Sequence, residues 1–519
     1  MLYNRKLPIG IQDFEDLRTN GYVYVDKTEY VHRLATRGKP YFLGRPRRFG
    51  KSLFLSTLKA YFLGKKELFE GLAIGDLEKE WTEYPVFHID MNVESYTDLA
   101  SLYRALDTNL GMLEKTWGKD ETEMTPASRL LGLIHRAGEQ TGRKAVVLVD
   151  EYDKPLVSTL DRAKENEDMR TLLKGFYGIL KSADAYLRFV FLTGVTKFSK
   201  VSIFSDLNHL VDISLQENYA GICGISEREL TDFQPEVQAL ADRRGKTYAA
   251  TLLELKKRYD GYHFAKESEG MYNPFSLLNT LDQKDFGNYW FATGTPTFLV
   301  KMLRNTGFDI ESLENGVKIP ADAITDYRAE YESPVPLLYQ SGYLTIKSYS
   351  SRYNSYTLGF PNEEVKYGFL NELLPAYMPK KDIRSEFYAE YFIEDLLAGD
   401  VESFMNRLRA FFAGIPYELN SREEKYYQTV FYLFFRLMGQ FIEVEQHGAV
   451  GRADAVVTTD DTVFVFEFKL TGNATAEDAL RQIDEKNYLI PFTAGNRKLV
   501  KVGVEFSSKE RGISRWKTG

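Results

Sequence analysis

A glycine, a lysine and a serine in one short stretch are the first residues able to do chemistry. They are Gly50, Lys51 and Ser52, near the end of the string Y-F-L-G-R-P-R-R-F-G-K-S-L, residues 41–53. An apolar run precedes the loop and helically spaced apolar residues follow it, which is the layout of a phosphate-binding P-loop. Gly50 would let the backbone approach closely, Lys51 would reach the β- and γ-phosphates, and the Ser52 hydroxyl would bind Mg²⁺.

The spacing of this stretch departs from the usual pattern G-x-x-x-x-G-K-[ST]. Arg45 stands where the first glycine belongs, and Gly44 comes one residue early. The loop is therefore longer, or turns differently around Pro46. The alternative interpretation is a basic loop that caps an ordinary helix.

A second stretch, K-A-V-V-L-V-D-E-Y-D-K-P at residues 144–155, favours nucleotide binding. Five apolar residues predict a buried strand that ends in two carboxylates, the Walker B pattern. Asp150 would hold the Mg²⁺ shell, and Glu151 would orient or deprotonate the attacking water. A solvated acidic strand end is the alternative, but the two patterns in this order together predict a nucleotide site.

Two carboxylates and a lysine near the C-terminal end form another candidate site. If Asp460 and Asp461 are the two residues of a hairpin turn, Asp454 lies opposite Glu467. The two-residue period of a strand places Glu467 and Lys469 on one face. The other face carries Phe464, Phe466 and Phe468 and is expected to pack on the core.

The convergence of these three charged residues would suit metal-dependent hydrolysis. Two close carboxylates, Asp454 and Glu467, can hold Mg²⁺ through oxygen ligands, and Lys469 can orient or activate water. The alternative is a salt bridge at the edge of a sheet without catalytic function.

Three strings carry a resemblance to a known family. R-P-R-R-F-G-K-S (45–52), L-P-I-G-I-Q-D-F (7–14) and Y-V-D-K-T (24–28) resemble the bacterial AAA-ATPase-like family, over most of the chain. Members commonly carry a C-terminal nuclease-like domain of the PD-(D/E)XK superfamily. The resemblance implies ATP and Mg²⁺ as cofactors, and that the displaced glycine is normal in this family.

The resemblance also implies further site residues. The D…E-x-K pattern near the C-terminal end is similar to the core motif of PD-(D/E)XK nucleases. Glu424 on the first helix of that region and Gln482 on the helix after the motif would assist. The spacing from Gln482 to Tyr488 is longer than the Gln-x-x-x-Tyr of some members.

In AAA-like ATPases, a polar residue at the end of the strand beside Walker B senses the γ-phosphate. Thr193 and Thr196 follow the apolar run 187–192 and are the candidates, with capping of the strand end as the alternative. Four cations could stabilise the transferred charge, and no arginine finger can be chosen among them: Lys197, Arg45, Arg47 and Arg48. We assign Thr193 and Arg48 to the nucleotide site.

The composition limits the class of protein. A length of 519 residues predicts two to four domains, and a net charge of −8 argues against a generally basic surface that coats nucleic acid. The single cysteine, Cys223, excludes an internal disulfide and fits a reducing compartment. The six histidines lack zinc-ligand spacing, and no run resembles a signal peptide or a membrane span. We expect a cytoplasmic protein.

The fold class expected is α/β and multidomain. Alternating strand and helix patterns over 41–215 predict a parallel sheet flanked by helices, as in AAA-like ATPases. A helical lid, with a helix start at 225–230, and a winged-helix-like segment, with a helix and strand across 337–346, follow. The last region reads α-β-β-β-α-β. The domain boundaries expected are ATPase core 1–220, lid 221–300, winged-helix-like segment 301–379, helical linker 380–419 and nuclease-like domain 420–519.

The leading hypothesis is an ATP-binding and hydrolysing protein coupled to a Mg²⁺-dependent nuclease that acts on DNA. A rival is a nucleotide-gated interaction or scaffold protein whose nuclease-like domain is inactive, and a third hypothesis keeps cleavage but makes the ATP site a sensor. The expected partners are a nucleotide and DNA, with no membrane. Homo-oligomerisation is left open.

Overall fold

The structure is a computed structural model of the chain. It describes residues 5–38, 40–197, 209–291, 299, 302–303, 308, 310, 312–325, 333–374, 385–413, 424–439, 443–445, 453–470, 474–507 and 512–519. The chain forms two compact units, one of Met1–Gly294 with Leu313–Val365, and one of Thr295–Ser312 with Lys366–Gly519. The finer domain boundaries expected from the sequence stay predictions.

A five-stranded parallel sheet forms the centre of the first unit. Its strands are β1 (Pro40–Gly44), β2 (Val86–Asp90), β3 (Ala145–Asp150), β4 (Leu187–Gly194) and β5 (Val211–Asp212), in the order β2-β3-β4-β1-β5. The α-helices of this region are α1 (Phe14–Thr19), α2 (Thr28–Arg37), α3 (Lys51–Phe62), α4 (Ile74–Leu77), α5 (Leu99–Trp117), α6 (Pro126–Thr141), α7 (Lys154–Val157) and α8 (Ala163–Ser182).

This sheet confirms the mixed α/β fold expected from the alternating patterns. All six residues of β3 are buried, as expected for a parallel strand covered on both faces. The strand expected at 210–215 is shorter, since β5 has only two residues. It ends because the carboxylate of Asp212 accepts the N–H of Ser214 (2.9 Å), which turns the chain out of the sheet.

Three helices and a two-stranded sheet follow the core. They are β6 (Ile225–Ser226), α9 (Gln234–Arg244), α10 (Tyr248–Tyr259), β7 (Met271–Tyr272) and α11 (Pro274–Gln283). The helix start expected at 225–230 is wrong in its position, because Ile225 and Ser226 pair with β7. The hydrogen bonds typical of a helix start are nevertheless present. Ser226 and Glu229 form reciprocal side chain to backbone hydrogen bonds, but the turn they cap is a 3-10 helix, Glu229–Phe233.

A small antiparallel sheet closes the first unit. Its strands β8 (Val317–Pro320), β9 (Thr345–Ser350) and β10 (Ser355–Gly359) lie in the order β8-β10-β9. The helices next to these strands in the chain are α12 (Ser312–Asn315), α13 (Val335–Gln340) and α14 (Glu363–Leu373), and most of α14 belongs to the second unit. The helix and strand expected across 337–346 are confirmed by α13 and β9.

The second unit has a five-stranded mixed sheet. The strands β11 (Glu443–Glu445), β12 (Ala455–Thr458), β13 (Thr462–Leu470), β14 (Lys498–Ser507) and β15 (Gly512–Thr518) follow in that order, and only β13 and β14 pair in parallel. The helices are α15 (Ser385–Leu397), α16 (Val401–Ala413), α17 (Glu424–Met438) and α18 (Ala476–Glu485). The pattern α-β-β-β-α-β is therefore present, with the addition of β15, which the sequence reading missed.

Further 3-10 helices connect these elements. They span Lys66–Phe69, Met91–Val93, Asp184–Tyr186, Glu217–Ile222, Ala323–Thr325 and Ile490–Phe492. Within the described ranges, none of the helices has the length and apolar character needed to cross a bilayer.

The β12–β13 hairpin has the register expected from its sequence. Ala455 pairs with Phe466, which extrapolates to Asp454 opposite Glu467. Neither residue of the Asp-Asp turn has a positive φ. The Thr459 hydroxyl instead holds the turn, since it accepts the N–H of Thr462 at 3.0 Å.

The phenylalanine face of β13 forms part of the second unit's core. Phe466 is fully buried, with ring centroids 5.5 Å from Phe404 of α16 and 5.6 Å from Phe435 of α17. On the opposite face, Val465 packs in a cluster with Ile483 of α18. The sheet is therefore covered by helices on both faces, and α16, expected in a linker, packs on it.

We expect Phe466→Ala to destabilise the second unit by about 3–5 kcal/mol, because it removes a buried ring and leaves a cavity. Hydrogen exchange of the β13 amides measures the effect as a lower free energy of opening. Ile490→Ala is the control, because Ile490 is 61% exposed. Equal exchange of β13 in both variants would contradict this account of the core.

Candidate functional site

The loop between β1 and α3 presents backbone groups at the start of a 12-residue helix. This segment, residues 45–50, is called the 45–50 loop below. Gly50 precedes α3 with φ +93°, a conformation that glycine adopts without a Cβ penalty. Arg48 also has a positive φ, +65°, which is uncommon for a residue with a side chain. Alternating backbone conformations of this kind turn successive N–H groups towards one point and make a nest for an anion.

Lys51 lies nearly buried at the start of α3, with 4% of its surface exposed. Its Nζ donates to the carbonyl oxygens of Arg45 (3.0 Å) and Pro46 (3.1 Å) and lies 3.3 Å from Oε1 of Glu151. The structure thus brings together the lysine and one of the carboxylates expected after β3. A buried ammonium group is tolerated here because a carboxylate and two carbonyls surround it.

Asp150 ends β3 in a mostly buried position. Burial raises the pKa of its carboxyl group, and hydrogen bonds from Ser52 and Thr193 oppose that rise. Thr193 Oγ1 donates to Asp150 Oδ1 at 2.6 Å. Asp150 and Ser52 are therefore adjacent, as expected for two groups that share a magnesium shell.

Glu151 follows with φ +53°, a left-handed backbone that turns its side chain towards Lys51. Its N–H donates to Thr193 Oγ1 at 3.3 Å. The hydroxyl of Thr193 thus contacts both acidic residues. Because Thr193 is fully buried, its contact to the site runs through Asp150 and Glu151.

Asp153 is a functional candidate that the sequence reading missed. It is fully buried, and its Oδ2 accepts the N–H groups of Val195 (3.1 Å) and Thr196 (2.5 Å) beyond the end of β4. Burial raises the pKa of Asp153 to about 7, with a further rise from the charge of Glu151. The sequence signal for Asp153 is its position as the third acidic residue of D-E-Y-D, residues 150–153.

The four side chains considered for stabilising the transferred charge lie in different surroundings. Arg45 is 1% exposed, and its guanidinium donates to the carbonyls of Ser214 and Tyr219 and lies over the ring of Phe264. Lys197 forms an ion pair with Asp212. Neither lines the large cavity at the 45–50 loop, whereas Arg47 and Arg48 do. The Thr196 backbone is held by Asp153, as noted above.

A cavity of about 620 Å³ extends from the start of α3. Its wall includes a polar set: Gly50, Lys51, Ser52 and Glu151. It also includes apolar and aromatic residues from the segments before β1 and after β5, which the sequence reading did not assign: Ile9, Ile11, Val23, Tyr24, Ile222, Phe275 and Leu278. This lining suits a ligand with an anionic part and a flat, less polar part.

The second unit brings Asp454, Glu467 and Lys469 together at the β12–β13 hairpin. Lys469 Nζ lies 2.7 Å from Oε1 of Glu467. Asp454 Oδ2 accepts the N–H of Phe468 at 2.8 Å. Burial raises the pKa of Glu467, the charge of Asp454 raises it further, and Lys469 opposes both. The pKa of Asp454 is raised by burial and lowered by its backbone hydrogen bond.

Two residues of α18 and the turn after it complete this cluster. Gln482 Nε2 donates to Oε1 of Glu467, and it lies 3.3 Å from the hydroxyl of Tyr488. Tyr488 therefore reaches the site despite the longer spacing, because the chain turns back at Asn487, which has φ +56°. Glu424 begins α17, but its side chain lies outside the described residues.

The donor set of this cluster suits a small divalent cation. Glu467 is 2% exposed, and its buried Oε2 has no hydrogen-bond partner among the described residues, while Oε1 accepts from Lys469 and Gln482. A buried carboxylate oxygen left unpaired is costly unless a cation meets it. The described part of the chain holds no group of three or more metal-binding side chains. Mg²⁺ needs no such cage, since it binds one or two carboxylates with water and phosphate.

Comparison with known proteins gives two family matches and one full-length relative. Residues 8–204 match a family described as "Predicted AAA-ATPase", and residues 422–516 match the PD-(D/E)XK nuclease superfamily. The chain is similar to "Uncharacterized protein in vnfD 5'region" of Azotobacter chroococcum mcd 1, with 37% identity over 519 residues, 98% of each chain.

These matches agree with the two clusters of charged residues. The 45–50 loop and the acids after β3 fall within the first match, and Asp454, Glu467 and Lys469 fall within the second. The chain belongs to the family of predicted AAA-ATPases that carry a C-terminal domain of the PD-(D/E)XK nuclease superfamily.

Proposed function

We propose that this protein binds and hydrolyses Mg·ATP in its first unit and cleaves DNA with Mg²⁺ in its second. The observation that carries the first half is that Lys51, Ser52 and Glu151 line one large cavity, while Asp150 accepts a hydrogen bond from Ser52. A lysine, a hydroxyl and two carboxylates are the groups that phosphoryl transfer needs.

Each of these polar groups has a distinct role in this proposal. The N–H groups at the start of α3 and the Lys51 ammonium bind the phosphates. Ser52 and Asp150 would hold Mg²⁺, which neutralises charge on the phosphate oxygens. Glu151 orients the attacking water and accepts its proton. Thr193 acts as a positioning residue, because its hydroxyl bonds to Asp150 and to the N–H of Glu151.

The apolar and aromatic residues of the cavity wall would receive the base and ribose. Tyr24 and Phe275 offer aromatic surface, and Ile9 and Leu278 offer aliphatic surface. The string L-P-I-G-I-Q-D-F thus has a role beside the nucleotide, since five of its residues line the cavity's wall: Pro8, Ile9, Gly10, Ile11 and Gln12.

The nuclease half rests on the unpaired Oε2 of buried Glu467 beside Asp454 and Lys469. These two carboxylates would hold Mg²⁺, which polarises the scissile phosphate and makes a bound water more acidic. Lys469 orients that water, and Gln482 fixes the Glu467 carboxylate through Oε1. DNA as the substrate and a cytoplasmic location stay predictions from the sequence.

Lys51→Ala should weaken Mg·ATP binding about 10- to 100-fold, because it removes a charged hydrogen-bond donor from the phosphates. Titration calorimetry with the full chain measures the change. Lys59→Ala is the control, since Lys59 lies in the last turn of the same helix. Unchanged affinity in Lys51→Ala would exclude this loop as the phosphate site.

Glu151→Gln should bind Mg·ATP but hydrolyse it about 100-fold or more slowly, because the amide keeps the shape and cannot accept the proton. Release of inorganic phosphate at saturating ATP measures the rate. Glu167→Gln on the exposed side of α8 is the matched control. A normal rate in Glu151→Gln would move the general base to another group.

Glu467→Ala should lower DNA cleavage by at least about 100-fold and leave ATP hydrolysis unchanged, because it removes a proposed metal ligand from a separate site. Lys469→Ala should still bind Mg²⁺ but cleave slowly. The control is Glu477→Ala, an acid on α18 that pairs with Arg515. Cleavage that persists in Glu467→Ala, or without a divalent cation, would contradict the mechanism. If the parent cleaves no nucleic acid, the interaction-protein hypothesis gains.

A further inference from the structure

Residues outside the parallel sheet contact the 45–50 loop and hold it in place. Its residues contact segments that follow β5 in the chain, and these segments do not belong to the strand, loop and helix that define a phosphate site. The guanidinium of Arg48 lies 4.7 Å from the centroid of the Phe275 ring. The ring of Phe49 packs at 4.7 Å from Tyr262 and 5.3 Å from Phe264.

The carbonyl oxygens of the loop have donors on these segments. The indole Nε1–H of Trp290 donates to the carbonyl of Arg47 at 3.2 Å. The N–H of Gly224 donates to the carbonyl of Phe49 at 3.1 Å. In a trans peptide, the C=O and N–H groups point in opposite directions. The N–H of Arg48 therefore points away from Trp290, and the N–H of Gly50 points away from Gly224.

This orientation matters for an anion. A carbonyl oxygen that faces a phosphate repels it, whereas an N–H group attracts it. The peptide before Arg48 can turn easily towards the wrong orientation, because Arg48 already has an unfavourable positive φ of +65°. The hydrogen bond from Trp290 opposes that rotation.

Trp290 is itself fixed. Its backbone N–H donates to Oε1 of Glu364 at 2.8 Å, and its ring packs edge-on against Tyr343 at 5.3 Å. It is 6% exposed, and it does not line the nucleotide cavity. The indole therefore reaches the nucleotide only through the loop.

A second contact, from the backbone at Gly342, restricts the position of Pro46 in the loop. Gly342 has φ +90°, and a Cβ at this position would lie 2.6 Å from Cβ of Pro46 and 3.5 Å from the Trp290 ring. The backbone after α13 thus lies directly against the loop. Any side chain at this position would push Pro46.

We propose that Trp290 and Gly342 are positioning residues of the nucleotide site, which hold the 45–50 loop from behind in the conformation that binds phosphate. This inference rests on the proposed binding of nucleotide. Neither Trp290 nor Gly342 lines the cavity, so both act on its affinity through the loop.

Trp290→Phe tests the indole hydrogen bond, since phenylalanine keeps an aromatic ring and removes the N–H. We expect Kd for a slowly hydrolysed ATP analogue with Mg²⁺ to rise about five- to tenfold in the full chain. Trp516→Phe is the matched control. Its indole also donates at 3.2 Å, to Glu402 in the second unit, and Kd should stay within about twofold of the parent value.

A second pair of variants separates loop position from general strain. Gly342→Ala and Gly316→Ala have nearly equal φ, +90° and +93°, and nearly equal contacts, since the Gly316 Cβ would meet Thr357 at 2.7 Å. We expect similar losses of melting temperature without nucleotide. Only Gly342→Ala should also raise Kd for the analogue, by about fivefold or more.

The outcomes separate this inference from the proposed function. If the parent binds the analogue, Lys51→Ala loses binding, and Trp290→Phe and Gly342→Ala match their controls, the inference is wrong and the nucleotide site stands. If the parent does not bind the analogue, or Lys51→Ala binds as well as the parent, the proposed nucleotide site is wrong and the inference falls with it.

Discussion

The buried ammonium group of Lys51 is the interaction on which the first unit depends. A charge at 4% exposure is stable only where other groups compensate it. Here two loop carbonyls and Glu151 surround it. The carbonyls follow β1 and Glu151 follows β3, so these partners come from two different strands of the sheet. The strand order puts β4 between β1 and β3, so the loop and the acids face each other across Thr193. A shift of any of these strands would leave a charge unpaired.

The second unit also buries a charged group, but this group is a carboxylate. Glu467 is buried beside another carboxylate, and its pKa is raised, so the charged form needs a cation. Lys469 supplies one contact, and the second oxygen of Glu467 has no hydrogen-bond partner within the described part of the chain. In both units, strands position the acidic groups, while helices α3 and α18 supply a lysine and a glutamine. In both units, therefore, acids positioned by strands contact a side chain from a helix, and this arrangement underlies both proposed activities.

Most of both sites could be predicted from the sequence because their signals are local. Gly50 to Ser52 are adjacent in the chain, and the β12–β13 hairpin fixes Asp454 opposite Glu467 by counting from the turn. The missed features depend on contacts between distant segments. The role of Asp153 follows from the end of β4, and the support of the loop by Trp290 spans 243 positions. The spacing from Gln482 argued against Tyr488, but Asn487, with its left-handed backbone, turns the chain so that Tyr488 reaches Gln482.

The parallel pairing of β13 with β14 has a consequence for folding order. The hairpin that carries Asp454 and Glu467 closes over a two-residue turn, whereas β14 can join only after the chain has crossed over through α18. Non-local pairing has a higher entropic cost than a hairpin and forms more slowly. Gln482 and Tyr488 lie on that crossover, so they reach Glu467 late. The acids of the second unit thus come together before the residues that orient them, and a nascent chain would hold the proposed metal site in an incomplete form.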